Sequence, residues 1–220
     1  INIIKNSLKK RGPDSDGFYK STNNEVIIMH TRLAIQDKST KANQPVISEN
    51  NRYVLSYNGE IYNIKFLRDY LVKKYGFEPK SESDTEILFG GLISEGSKFL
   101  TKVDGIYAFL FLDNLKKVVY AARDPLGIKP LVFTYNDYYG LLFSSDVNTI
   151  SNLLSFPKIS NQGVVDLLTL TFVPEPNTLF EDIFHLEPGI LFGYNFQKEI
   201  ISKEKIIYKQ EKNNNTNSCE

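Results

Sequence analysis

Residues 107–122 read YAFLFLDNLKKVVYAA. Aromatic and β-branched side chains run up to and away from the turn-prone pair Asp113-Asn114, so the stretch predicts two antiparallel strands, Tyr107 to Leu112 and Val118 to Ala122, joined by a short turn. The same signature recurs on both sides. After the loop Arg123 to Pro130 come candidate strands at Leu131 to Tyr135 and Leu141 to Ser144, with a last one at Ile190 to Phe196. Upstream, Glu25 to Met29 reads as a buried strand running into His30-Thr31-Arg32, and Tyr53 to Tyr57 as another that ends at the turn-prone pair Asn58-Gly59. Arg11 to Gly17 is a dense turn rich in Gly, Pro, Asp and Ser.

Between these strands the period changes. Ile64, Leu67 and Leu71 repeat at helical spacing with Lys65, Arg68, Lys73 and Lys74 on other faces, and Gly76 is placed to end that helix. A second helix is expected from Asp84, an acceptable N-cap, with Glu86 in the first turn and Ile87, Leu88 and Leu92 as its apolar stripe. Helical patterns return near Val147 to Leu154 and Gln162 to Leu170, and Ile1 to Arg11 reads as the end of a helix. Mostly antiparallel strands with helices outside make an α+β domain.

Composition narrows the function classes. The 220 residues carry 26 basic and 26 acidic side chains, and this balance argues against a nucleic-acid or membrane-surface binder. No apolar run approaches the roughly 20 residues a bilayer span needs. A single cysteine, Cys219, makes neither an internal disulfide nor a zinc cluster. A cytoplasmic globular domain is the expectation.

Five short motifs follow in order: Arg11-Gly12-Pro13-Asp14; His30-Thr31-Arg32-Leu33-Ala34-Ile35; Asn58-Gly59-Glu60-Ile61-Tyr62-Asn63; Ser83-Asp84-Thr85-Glu86; and Ala122-Arg123-Asp124-Pro125-Leu126-Gly127-Ile128-Lys129-Pro130-Leu131. In this order and spacing the chain resembles, over Lys9 to Phe192, the glutaminase (type 2 glutamine amidotransferase) domain of glutamine-hydrolysing asparagine synthetases. Phe172 to Thr178 and Leu186 to Gly189 resemble the end of that domain. The resemblance implies an N-terminal-nucleophile hydrolase fold, a four-layer αββα sandwich of antiparallel sheets. It also implies hydrolysis of the glutamine side-chain amide, with the ammonia passing to a C-terminal, ATP-dependent synthetase domain that makes asparagine.

Side-chain chemistry suits the roles so implied. Arg32 can hold a carboxylate through two parallel hydrogen bonds, and Asp84 can accept from the substrate ammonium while also capping a helix. Asn58 and Gly59 are the implied oxyanion hole, an amide and a backbone N–H aimed at developing negative charge; the alternative is a plain Asn-Gly turn. Leu33, Ile35 and Glu60 are expected to line the same pocket. His30, ending an apolar strand, reads as structural rather than as a base, and His185 as incidental. Arg11 to Asp14 and Arg123 to Pro130 are expected to shape loops near the pocket.

The resemblance places the nucleophile on a cysteine that opens the mature chain, with its own α-amino group as base. Ile1 stands first in this sequence, and Cys219 lies in the polar, Asn-rich stretch Lys209 to Glu220. Two explanations compete: a stretch of a longer synthetase lacking the first strand, or a module that binds without hydrolysing. The 220 residues by themselves are expected not to hydrolyse glutamine. Residues 1–200 are expected to form the amidotransferase domain and 201–220 a polar tail or linker. No cofactor is expected in this domain; ATP and magnesium would serve the synthetase domain. Expected partners are glutamine and that domain, with a homodimer left open and neither nucleic acid nor membrane. An amidotransferase for a sugar or peptide acceptor is the alternative enzyme.

Overall fold

The computed structural model describes residues 2–32, 44–81, 83–154 and 157–206. In chain order the elements are α1 (Asn2–Leu8), β1 (Ser15–Lys20), β2 (Ile27–Arg32), β3 (Val46–Ile47), β4 (Tyr53–Ile61), α2 (Ile64–Tyr75) and α3 (Asp84–Glu95). After a 3-10 turn at Gly96–Lys102 come β5 (Gly105–Asp113), β6 (Val118–Arg123), β7 (Val132–Asn136) and β8 (Gly140–Ser144). The remainder is α4 (Val147–Leu153), α5 (Asn161–Leu170), β9 (Phe184–His185), β10 (Ile190–Asn195) and β11 (Ile200–Lys205).

The 107–122 hairpin sits at the centre of the molecule. Its turn is held by Asp113, whose carboxylate accepts from the N–H groups of Leu115 and Lys116 at 3.0 and 3.2 Å and takes both ends of the Arg52 guanidinium at 3.1 Å. β5 and β6 become the middle of a six-stranded antiparallel sheet ordered β11-β10-β6-β5-β4-β3. On one face of this sheet Tyr107, Phe109 and Phe111 pack under Leu67 and Leu71 of α2 and Ile87, Leu88 and Leu92 of α3. The other face meets a second layer. Phe192 of β10 lies 5.7 Å from Phe133 of β7 and 5.6 Å from Phe143 of β8, ring centre to ring centre. Beyond that layer, Val132 and Leu142 pack against Val147 and Ile150 of α4, and α1 lies against α4 and β2. The order of layers is helix, sheet, sheet, helix, as the resemblance implies.

The second layer is interrupted. β8-β7-β9 forms one sheet and β1-β2 another, so β2 and β8 belong to separate sheets.

Four local expectations change. Asn58 and Gly59 do not turn the chain: β4 runs through them to Ile61, pairing Asn58 with Ala108 and Gly59 with Tyr107. A turn at this point would forfeit the ladder that buries β4 between β3 and β5. Asp84 is not the cap of α3; Ser83 is, accepting from Thr85 N–H at 3.3 Å, and Asp84 is the first helical residue. The dense turn at 11–17 gives way to β1 from Ser15, paired to β2 from Ser15–Arg32 to Lys20–Ile27. Finally, residues 201–205, assigned from sequence to the tail, extend the large sheet as β11, paired to β10 through Ile200–Lys205. Its side chains are all exposed, so its place depends on the backbone ladder. Gly76 ends α2 as expected, in the left-handed region at φ 63° with its N–H on the Leu71 and Val72 carbonyls.

Candidate active site

A cavity of about 1650 Å³ lies between the two layers, lined from β2, β4, β5, β8 and the start of α3. That exceeds the roughly 300–1,000 Å³ usual for small-molecule pockets. The described site residues predicted from sequence, Arg32, Asn58, Gly59, Glu60 and Asp84, all line it. They come from three separate elements. Leu33 and Ile35 lie outside the described residues.

The outer edge of β4 organises the site. Along this edge Ser48 N–H donates to the Tyr53 carbonyl and β3 pairs with Val54 and Leu55. β3 stops there, and the side chain of Gln44 takes over: its Oε1 accepts from Tyr57 N–H at 2.6 Å and its Nε2 donates to the Tyr57 carbonyl at 2.9 Å. Two residues on, the same edge presents Gly59; two further, Ile61, whose N–H donates to Asp84 Oδ2 at 3.3 Å. Because a strand directs alternate residues to the same edge, the Gly59 N–H faces outward between these two anchored positions. It has no hydrogen-bond partner among the described residues. Gly59 must stay a glycine, since a Cβ there would overlap the Ile106 carbonyl oxygen and come within 2.9 Å of Tyr107 Cα.

Asn58 points to the opposite face from Tyr57, toward the space between the layers, and its register partner Ala108 is too small to fill that space. Asp84 is oriented by Tyr57, whose hydroxyl donates to Oδ2 at 2.8 Å. Burial and the Asp84 charge push the Tyr57 phenol far above its ordinary range, so it remains a donor. Among the described residues Oδ2 is occupied twice, and Oδ1 carries one long contact, from the Thr85 hydroxyl at 3.5 Å. That oxygen is available to a cation in the cavity.

Arg32 ends β2, and the first motif fixes it. Asp14 N–H donates to the Arg32 carbonyl at 3.0 Å, and Gly12 lies so close to the Thr31–Arg32 peptide that a Cβ would overlap it. The Arg11–Asp14 loop therefore positions the end of the strand that carries the guanidinium. His30, on the same strand, is held down at about 4 by burial and then by the Arg32 charge. Its Nδ1 meets Ser56 Oγ at 3.1 Å, so it sits neutral in the cavity wall. His185 lies away from this cavity, 3.4 Å from Glu175.

Sequence reading missed Gln44 and Tyr57 as parts of the site. Tyr57 could have been found, because a tyrosine one residue before Asn58 on a half-buried strand must bring its hydroxyl to a partner. Gln44 carried no signal, since its role depends on where β3 ends. Among the described residues no three His, Cys, Asp or Glu side chains are grouped to hold a metal ion. No helix among them is long and apolar enough to cross a membrane.

A family model described as a glutamine amidotransferase domain matches residues 1–206. The chain belongs to this family. As a member of the glutamine amidotransferase domain family, it is 36% identical over 193 residues to asparagine synthetase [glutamine-hydrolyzing] 1 of Bacillus subtilis, covering 87% of this chain and 30% of that protein. It is 30% identical to a putative asparagine synthetase [glutamine-hydrolyzing] 2 of Methanocaldococcus jannaschii, over 92% of this chain and 42% of that protein. The chain thus spans less than half the length of these relatives. Among solved structures, glutamine phosphoribosylpyrophosphate amidotransferase from B. subtilis superposes with a TM-score of 0.58 at 21% identity, over 83% of this chain and 35% of that one. That likeness concerns the fold, the sandwich of two antiparallel layers between helices described above.

Proposed function

We propose that this chain is the glutaminase part of a glutamine-hydrolysing asparagine synthetase, releasing ammonia from glutamine for the ATP-dependent amidation of aspartate in the cytoplasm. The observation that carries the reading is the edge of β4, where the Gly59 N–H opens into the cavity between Asn58 and an Asp84 carboxylate with one oxygen to spare. Asparagine as product is supported by the two relatives named above, and this reading assigns ATP and magnesium to the synthetase domain.

In this reading Arg32 holds the substrate carboxylate and Asp84 its ammonium, while Glu60 and the segment with Leu33 and Ile35 close the pocket. The side-chain carbonyl then lies at Asn58 and Gly59. A cysteine thiolate attacks its carbon, the oxygen gains negative charge, and the amide N–H₂ and backbone N–H meet it; each such donor contributes about 3–4 kcal/mol to transition-state stability. The C–N bond breaks, ammonia leaves with the proton taken up by the nucleophile's α-amino group, and water cleaves the thioester to glutamate. The space between β2 and β8 exceeds what one amino acid needs. A strand bearing that cysteine, seated there, would join the two halves of the second layer and bring sulfur to the β4 edge.

Two preparations test this: the 220 residues alone, and the protein translated from its natural start. Glutamate release from glutamine is expected only from the second, and Asp84→Asn in it raises KM for glutamine by about tenfold or more, the loss of one charge-assisted bond. Hydrolysis by the 220 residues alone would overturn the requirement for a preceding strand. No hydrolysis by the longer protein would overturn the enzymatic reading in favour of a binding module.

A further inference from the structure

Two of the sequence motifs, Ala122 to Leu131 and Phe172 to Thr178, are tied together by the structure, and the first reaches the cavity wall only through Lys129, Pro130 and Leu131. Arg123 is 1% exposed. Its guanidinium grips Glu175 with both ends, at 3.0 and 3.2 Å, and its remaining donors go to the carbonyls of Gly127, Lys129 and Leu186. Asp124, fully buried, accepts from the N–H groups of Leu126, Ile128 and Lys129 at 3.0–3.1 Å. The 124–129 loop is therefore pinned from within by its polar groups. Its apolar side chains point outward: Leu126 is 77% exposed and Ile128 55%.

In the chain Glu175 follows shortly after α5, which buries only Gly163. Leu168 is 78% exposed, and Val165, Leu167, Leu170 and Phe172 are also exposed. The helix carries one charge, Asp166, already engaged by Gln162 at 2.7 Å. It ends at Thr171, a non-glycine residue held in the left-handed region at φ 67°, from which Phe172 projects. An apolar, nearly uncharged face of this kind on rigid supports marks a contact surface.

The path of the chain indicates what covers it. Ile206, the last described residue, donates its N–H to the Gly189 carbonyl at 2.8 Å, and Gly189 N–H donates to the Asp124 carbonyl at 3.0 Å. Ile206 therefore sits beside the 124–129 loop. The relatives continue for more than half of their length outside the region matched here.

We propose that α5, Phe172 and the Leu126–Ile128 loop seat the synthetase domain of the longer protein. This rests on the reading given above. The Arg123–Glu175 pair makes one platform of two segments distant in sequence, and the position of Ile206 beside it brings the following domain onto it.

The test uses the protein translated in full. Carbene footprinting is expected to label Leu168 and Phe172 about tenfold less than Leu115, which is 71% exposed at the tip of the β5–β6 hairpin. Leu168→Glu and Phe172→Glu should restore labelling across α5. They should also lower glutamine-dependent asparagine formation by about tenfold while glutamate release and ammonia-dependent synthesis stay at the parent level. Leu115→Glu should change none of these. Labelling of α5 equal to that of Leu115 would overturn the proposal, as would protection that appears only when the protein self-associates, since that assigns the face to a second copy. Footprinting decides even if the full protein makes no asparagine. Protection would then leave the docking face standing while the acceptor reading fails.

Discussion

Strand β5 sends alternate side chains to two unlike environments. Tyr107, Phe109 and Phe111 enter a layer filled by α2 and α3, where Leu67, Leu71, Ile87 and Leu88 are fully buried. Ala108 and Leu110 face the second layer and border the cavity that holds the candidate site. One strand thus anchors the domain through one row of residues and leaves room for chemistry with the other. The contrast shows why a closed core on one side permits an incomplete one on the other: the register of β4, on which Asn58, Gly59 and Ile61 depend, is fixed by β5 and the helix-side packing, whatever fills the cavity.

The largest effect should come from breaking the closed side. Leu88→Ala is expected to destabilise the protein by about 2–5 kcal/mol, because its surroundings cannot collapse; urea denaturation measures it. An acid titration of stability comes next and sharpens the other side. His30, in the cavity wall, stays neutral in the folded protein down to about pH 4, against an ordinary value of 6.5 in the unfolded chain. The unfolded state therefore binds more protons between these values, and stability falls as pH drops through them by about 3 kcal/mol, levelling below pH 4. His30→Gln should remove that part of the slope. Smallest is Leu110→Ala: bordering an existing cavity, it should cost about 1 kcal/mol in the same denaturation assay, near the low end for an aliphatic truncation. Equal losses for Leu88 and Leu110 would mean that the two sides do not differ.

The strands with apolar runs and the helix over 64–75 were legible because burial dictates their side chains. What escaped depended on backbone geometry. β11 has six exposed residues and no alternation to betray it, and β1 hides behind Pro13 and Gly17, which resemble a continuing turn. Asn58-Gly59 looked like a turn because the sequence does not show that Gly59 serves close approach to β5. The candidate residues Arg32, Asn58, Gly59, Glu60 and Asp84 came from motif resemblance, and the cavity gathers them. The support Gln44 follows only from the strand pairing, whereas Tyr57 left a trace in its position beside Asn58.

The most direct test of the site is steady-state glutamine hydrolysis by Asn58→Ala in the protein translated from its natural start. The amide is assigned to charge that develops only in the transition state, so kcat should fall by about 10²–10³ while KM stays close to the parent value. An unchanged kcat with a raised KM would place Asn58 in ground-state binding and contradict the oxyanion site at the β4 edge.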